Sequence, residues 1–257
     1  MTDSISIYGI LNVTPDSFSD GGMFNDADEA VRHALQMISD GADVIDIGGM
    51  STRPGFDNIS AEEELSRVIP VIKKIRAVSS CRISLDTFRA GVAARAIEAG
   101  ADIINDISGL SDPDMAPLIA SAGVEAVLMR NGLDGAHVPW EETIGQTVDR
   151  AKACGISDDK IILDPGVGFT DSRETDIELI RAIPAIKQRW GYPVLLGVSR
   201  KRITSVFYNG DSLPKERDGA SVALALYGMS IGADALRVHN VKQTYAAVRA
   251  FKHMTDG

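Results

Sequence analysis

Gly41-Ala-Asp43-Val-Ile-Asp-Ile-Gly-Gly49 is a helix stop followed at once by a short β-branched apolar run that ends on small residues. A glycine suits the left-handed position that terminates a helix, and a run of this kind reads as a buried strand. Gly-Ala-Asp recurs at 100–102 and 232–234, each time closing a helical pattern and opening an apolar run. Spacings this uneven are not a solenoid period. They are one connector reused within one architecture.

Outward from that stretch, the same alternation fills the chain. Strand patterns fall at Ile5–Asn12, Asp43–Gly49, Arg82–Thr87, Asp102–Ile107, Ala126–Arg130, Lys160–Pro165, Pro193–Ser199 and Ala235–His239. Helical spacing marks Ala27–Ser39, Ala61–Ala77, Gly91–Ala99, Trp140–Lys152 and Asp176–Arg189, and a helix fits after each strand. Nearly continuous apolar strands are what a parallel sheet covered on both faces requires. Eight βα units with right-handed crossovers close into an α/β fold, a single-domain (β/α)8 TIM barrel spanning 1–257. A doubly wound open sheet would want a Gly-rich dinucleotide turn after the first strand, and Ile10–Pro15 has none.

Composition narrows the function classes. The 257 residues carry 26 Lys+Arg against 36 Asp+Glu, a formal net charge of −10, which disfavours a nucleic-acid partner. No run reaches the roughly 18–20 apolar residues of a membrane span, and the N-terminus has no basic, secretory character. The expected location is therefore the cytoplasm, where Cys81 and Cys154 would be buried free thiols. A GxxxxGK[ST] loop, a GxSxG elbow and zinc-type His spacing are all missing.

In such a barrel the chemistry gathers where strands end. Those ends supply Asn12, Asp46 with Ser51-Thr52-Arg53, Asp86, Asn105-Asp106, Arg130, Asp164, Ser199-Arg200-Lys201, and Arg237 with His239. Asp86, Asn105 and Asp164 offer in-plane hydrogen bonds to a flat heterocycle with amino and lactam edges. Arg53, Lys201, Arg237 and His239 offer positive charge to a phosphate, pyrophosphate or carboxylate.

Longer motifs sharpen this. Gly9-Ile-Leu-Asn12-Val-Thr14-Pro15-Asp16-Ser17-Phe18-Ser19-Asp20-Gly21-Gly22 resembles a signature of the dihydropteroate synthase family, and Asp46-Ile-Gly-Gly-Met-Ser51-Thr52-Arg53-Pro54-Gly55 resembles its second. Ser84-Leu-Asp86-Thr87, Asn105-Asp106-Ile-Ser108-Gly109, Asp164-Pro165-Gly166-Val-Gly168-Phe169, Ser199-Arg200-Lys201 and Arg237-Val-His239 follow in family order, so the resemblance runs from Ile5 to about Phe251. It implies a folate-pathway transferase that condenses 6-hydroxymethyl-7,8-dihydropterin diphosphate with 4-aminobenzoate, giving 7,8-dihydropteroate and pyrophosphate. By that resemblance Asp86, Asn105, Asp164 and Lys201 would hold the pterin. Asn12, Thr52, Arg53, Arg237 and His239 would hold the diphosphate, with Mg2+ at Asn12. Ser17, Phe18, Pro54, Gly168, Phe169 and Ser199 would form the 4-aminobenzoate pocket, where sulfonamides also bind. Asp86, Lys201, Arg237 and Asn12 would carry the catalysis, and a homodimer through the outer helices is implied.

Three positions depart from the family pattern. Met50 stands where the family has Glu, Arg130-Asn131 where it has Met-His, and Thr170-Asp171 where it has a small residue and Lys. Two other readings share the barrel: a methyltetrahydrofolate-type methyltransferase domain, against which Thr52-Arg53-Pro54 and Ser199-Arg200-Lys201 argue, and a catalytically silent pterin-binding paralogue.

Overall fold

The computed structural model describes residues 5–14, 23–50, 59–130 and 138–255. Its strands are β1 (Ser6–Asn12), β2 (Val44–Gly48), β3 (Arg82–Asp86), β4 (Ile103–Asp106), β5 (Glu125–Met129), β6 (Ile161–Asp164), β7 (Leu195–Leu196) and β8 (Ala235–Val238). The helices are α1 (Met23–Ser39), α2 (Ala61–Val78), α3 (Ala90–Ala99), α4 (Met115–Ala122), α5 (Trp140–Ala153), α6 (Arg173–Arg181), α7 (Ile183–Trp190), α8 (Arg202–Ser205), α9 (Asp218–Ser230) and α10 (Val241–Thr255). The strands form one sheet in the order β6-β5-β4-β3-β2-β1-β8-β7, and every recorded pairing is parallel. A single bridge between Leu163 and Val194 joins its two edges and makes it a barrel.

The Gly-Ala-Asp connectors show how sequence becomes barrel. Gly41, Gly100 and Gly232 have φ of 106°, 112° and 113°, the left-handed backbone that a side chain would strain. The next residue's N–H then reaches back to a helix carbonyl: Ala42 to Met37, Ala101 to Ala96 and Ala233 to Gly228, each at 2.9 Å. That is the 6→1 bond of a Schellman stop. The aspartate acts on the neighbouring strand. Asp43, Asp102 and Asp234 accept the N–H of Ile7, Ile83 and Val194, each at 2.8 Å. Three residues thus end a helix, bury an alanine and fix the start of an adjacent strand.

Strand parity divides the apolar residues. Tyr8, Val44, Ile103, Val127, Leu195 and Ala235, with Ile162 against them, form a small cluster in the barrel interior. Their neighbours one step along, including Ile7, Ile45, Ile104, Leu128, Leu163, Leu196 and Leu236, pack under the helices. Side chains alternate with period two, so the positions two and four residues beyond the inner cluster also face the axis. Those positions carry the site.

Packing of helix on sheet is close. In α9, a Cβ on Gly228 would lie 2.1 Å from Leu196 Cδ2. Gly228→Ala is expected to lose about 1–3 kcal/mol of stability to this overlap, lowering Tm by roughly 3–10 °C. An unchanged melting temperature would show that Leu196 has room to move aside.

Two sequence expectations are corrected. The helix expected over Asp176–Arg189 is two helices, α6 and α7, meeting at Ala182. Pro184 lies in the first turn of α7, has no N–H to give and cannot continue the preceding helix. The cysteines are free, but Cys81 is only partly buried and Cys154 is exposed, in place of the buried thiols expected. Among the described residues, no helix is long and apolar enough to cross a membrane.

Candidate active site

At the C-terminal end of the barrel, a buried charge cluster replaces the apolar interior. Asp46, two residues beyond Val44, is fully buried. Its Oδ2 accepts from Arg237 Nε at 2.6 Å, and its Oδ1 from Ser84 Oγ at 2.6 Å and from Asn105 Nδ2 at 3.4 Å. Arg237, two residues beyond Ala235, gives its Nη2 to Asp86 Oδ2 at 2.6 Å. One guanidinium therefore bridges two carboxylates from β2 and β3. The bridge leaves Asp86 Oδ1 and Asn105 Oδ1 buried with no partner. Two open acceptors inside a satisfied cluster are what a donor edge of a flat ligand would complete.

Asn12 and Gly48 stand opposite one another in the β1–β2 register, and Gly48 stands opposite Asp86. A Cβ on Gly48 would lie 3.6 Å from Asn12 Oδ1 and 3.9 Å from Asp86 Cβ, so the glycine keeps the space between them clear. On the far side, Asp164 Oδ1 accepts from Gly166 N at 2.8 Å. Lys201 donates Nζ to the Val167 carbonyl at 2.5 Å and lies 4.7 Å from the centre of the Phe169 ring. Gly168 has φ of 88°, and a Cβ there would lie 2.5 Å from Lys201 Cδ. Gly197 faces the same space, its missing Cβ 3.6 Å from Lys201 Nζ and 3.8 Å from Asp164 Oδ2. Gly168 is required by its left-handed backbone and by the lysine beside it, whereas Gly197 borders the same space at ordinary contact distance.

Burial sets the electrostatics. It pushes the Asp86 carboxyl up to about 7, with Asp46 adding to the rise and Arg237 opposing it. It raises Asp164 as well, against the pull of Lys201. The Lys201 ammonium is brought down to about 8 by burial, with Arg237 lowering it further and Asp164 opposing. Burial also disfavours the charge on Arg237, but Asp46 and Asp86 outweigh it and hold that group above its ordinary value. Among the described residues, the site combines the fixed cation Arg237 with groups whose charge responds near neutral pH.

The residues expected from the sequence do not all meet. Asp86, Asn105, Asp164, Lys201 and Arg237 converge at the mouth, with Asn12 at its edge. Gly168 and Phe169 lie over Lys201. Ser199 and His239 meet each other instead, Ser199 Oγ lying 2.9 Å from His239 Nδ1 and accepting the His239 N–H at 3.2 Å. Ser17, Phe18, Thr52, Arg53 and Pro54 lie outside the described residues. Arg200, between two site residues, turns away: at φ of 59° it makes a two-point pair with Asp218 at 2.6 and 2.8 Å. Asp106 faces its own loop, accepting from Ser108 N and Leu110 N.

Sequence reasoning gave Asp46 a place at a strand end and Ser84 a place in a family motif, but gave neither a role. The signal was there: both have the inward parity of Val44 and the register that pairs them. Asp176 was missed for a different reason, since it lies on α6 and enters the site only through the loop before it.

With this geometry in place, the comparisons are specific. A family model described as pterin binding enzyme matches residues 8–239. A dihydropteroate synthase of Clostridium beijerinckii is 46% identical over 97% of this chain and 93% of its own. One of Streptococcus pyogenes is 43% identical over 92% of this chain and 91% of its own. Among solved structures, the dihydropteroate synthase of Clostridium difficile in the presence of pteroic acid superposes with a TM-score of 0.92 at 40% identity, covering 98% of this chain and 97% of that one. The Xanthomonas albilineans enzyme with 4-aminobenzoic acid gives 0.93 at 38%, covering 98% and 94%. A buried carboxylate–arginine–amide cluster at the mouth of a parallel barrel, in a chain this similar throughout, leaves one assignment: the protein belongs to the dihydropteroate synthase family.

Proposed function

We propose that this protein joins 6-hydroxymethyl-7,8-dihydropterin diphosphate to 4-aminobenzoate, releasing pyrophosphate and 7,8-dihydropteroate. The observation that carries the reading is the pair of buried, unpartnered acceptors, Asp86 Oδ1 and Asn105 Oδ1, inside an otherwise satisfied cluster. A pterin presents N–H donors along one edge and fits that vacancy in the hydrogen bonding. Asp164 and Lys201 complete the ring's contacts. Asn12, Thr52, Arg53, Arg237 and His239 take the diphosphate, and Ser17, Phe18, Pro54, Gly168, Phe169 and Ser199 take 4-aminobenzoate, as the family resemblance suggests.

The chemistry follows an SN1-like course. When the methylene–oxygen bond breaks, both bonding electrons leave with pyrophosphate and a cation remains on the pterin methylene. Arg237 and the other cations of the mouth stabilise the departing charge, and the Asp86 carboxylate offsets the cation. The aniline nitrogen then attacks and sheds its proton, needing no strong base.

For Mg2+ the donor set is thin. Among the described residues no three His, Cys, Asp or Glu side chains form a metal site. Asn12 would bring one hard oxygen to a Mg2+, a donor of the kind that ion prefers. Bound there, the ion would add positive charge at the leaving group. A cytoplasmic location and a homodimer through outer helices complete the proposal.

The test adds the pterin diphosphate alone, then 4-aminobenzoate, with and without Mg2+, and follows pyrophosphate. Release on addition of 4-aminobenzoate, with Mg2+ present, is expected. Pterin binding without release would mark a silent paralogue and overturn the reading.

A further inference from the structure

Asp176, in the first turn of α6, is fully buried, and its carboxylate serves the β6–α6 loop. Oδ1 accepts from the Gly168 N–H at 2.7 Å and from Thr170 Oγ1 at 2.8 Å. Oδ2 is buried without a hydrogen bond, and Arg202 Nη2 stands 4.0 Å from it. Arg130, at the end of β5, is 4% exposed, and its Nε and Nη1 also have no partner. Its backbone lies against the start of the same loop. A Cβ on Gly166 would come within 2.8 Å of the Arg130 carbonyl oxygen and 3.5 Å of Arg130 Cβ. Two opposite charges therefore flank one loop, and neither belongs to the cluster around Asp46.

A buried charge without compensation is expensive, and removing one of two mutually compensating charges is worse than removing both. Asp176 is the charge that supports the Arg130 guanidinium against its burial. What lies between them is the segment that governs Lys201. It supplies the Val167 carbonyl that takes the ammonium and the Phe169 ring beside it.

We propose that Arg130 and Asp176 act together as positioning residues that fix residues 166–170 over Lys201 and thereby set the affinity for the aromatic amine substrate. The inference rests on the reaction proposed above. Both roles are indirect. Asp176 acts through Gly168 and Thr170, and Arg130 acts by supplying the opposite buried charge beside the start of the loop.

Steady-state kinetics with each substrate varied, alongside thermal unfolding, tests this. R130M and D176N are each expected to raise KM for 4-aminobenzoate about tenfold, with kcat and the KM for the pterin diphosphate changed less than about threefold. The three pterin contacts on strands, Asp86, Asn105 and Asp164, are untouched. The double variant R130M/D176N removes both charges but keeps an amide oxygen for Gly168 and Thr170, and should return to within about threefold of wild type. R130M/D176L keeps no acceptor and should not recover. If the single variants fail to fold, the contrast between the two double variants decides the matter. Equal KM values for those two, or single-variant losses confined to Tm and to the fraction of active protein, would overturn the inference. A wild-type protein that forms no product would overturn the proposed reaction itself, a separate outcome.

Discussion

Asp86→Ala should lower kcat/KM by about three orders of magnitude. The side chain is asked to do two things: accept a hydrogen bond from the ligand on the open Oδ1 and hold Arg237 through Oδ2. Hydrogen bonds to charged groups contribute about 1.5–3 kcal/mol each, and losing two gives roughly 10²–10⁴ in rate or affinity. Lys201→Ala should behave similarly, because it removes the buried ammonium that lies beside Asp164 at the mouth. Turnover within about fivefold of wild type for either variant would remove these residues from the mechanism.

Arg237→Met should have the largest effect on folding. It leaves Asp46 and Asp86 buried without the guanidinium that bridges them. Breaking a buried pair in this way costs about 3–5 kcal/mol, which for a chain of this size lowers Tm by on the order of 10 °C. The loss should be smaller at pH 5 than at pH 8. Asp86 has its folded-state pKa raised to about 7 from an ordinary 3.8, so between those values the folded state holds a proton that the unfolded state has lost. That contribution is complete below the unfolded value and disappears as pH rises through 7. Lys201 has the opposite sign. Its ammonium titrates at about 8 in the fold against an ordinary 10.5, so stability rises with pH across that window. Denaturation from pH 4 to 10 should show wild type losing stability toward neutrality and regaining some above pH 8. Asp86→Asn should flatten the acid limb, and Lys201→Met the alkaline one. A wild-type curve that rises steadily from pH 4 to 7 and is unaltered by Asp86→Asn would show that this carboxyl is not buried as described.

How much of this was legible beforehand differs by level. The barrel was legible because its signals are local. A glycine that must be left-handed, an alanine that must be buried and an aspartate that can reach a neighbouring strand occur together three times. The inward set Asp86, Asn105, Asp164 and Arg237 was legible because each stands at the end of a strand. The break between α6 and α7 was less so, since apolar spacing carries across Pro184 while backbone hydrogen bonding does not. The cysteines were misjudged because apolar neighbours in sequence do not determine which side of a helix end faces water.

The sequence by itself therefore determined the architecture, the family and the roster of polar strand ends, because periodicity and turn chemistry act over a few residues at a time. Only the tertiary structure decided which of those polar groups satisfy one another. Arg237 bridges Asp46 and Asp86, Ser199 meets His239, Arg200 turns out to Asp218, and Asp176 reaches in from a helix to the loop over Lys201. The physical reason is that a buried polar group must find its partner in space. In a barrel that partner comes from another strand or a distant loop, as with Arg237 and Asp46, 191 residues apart along the chain.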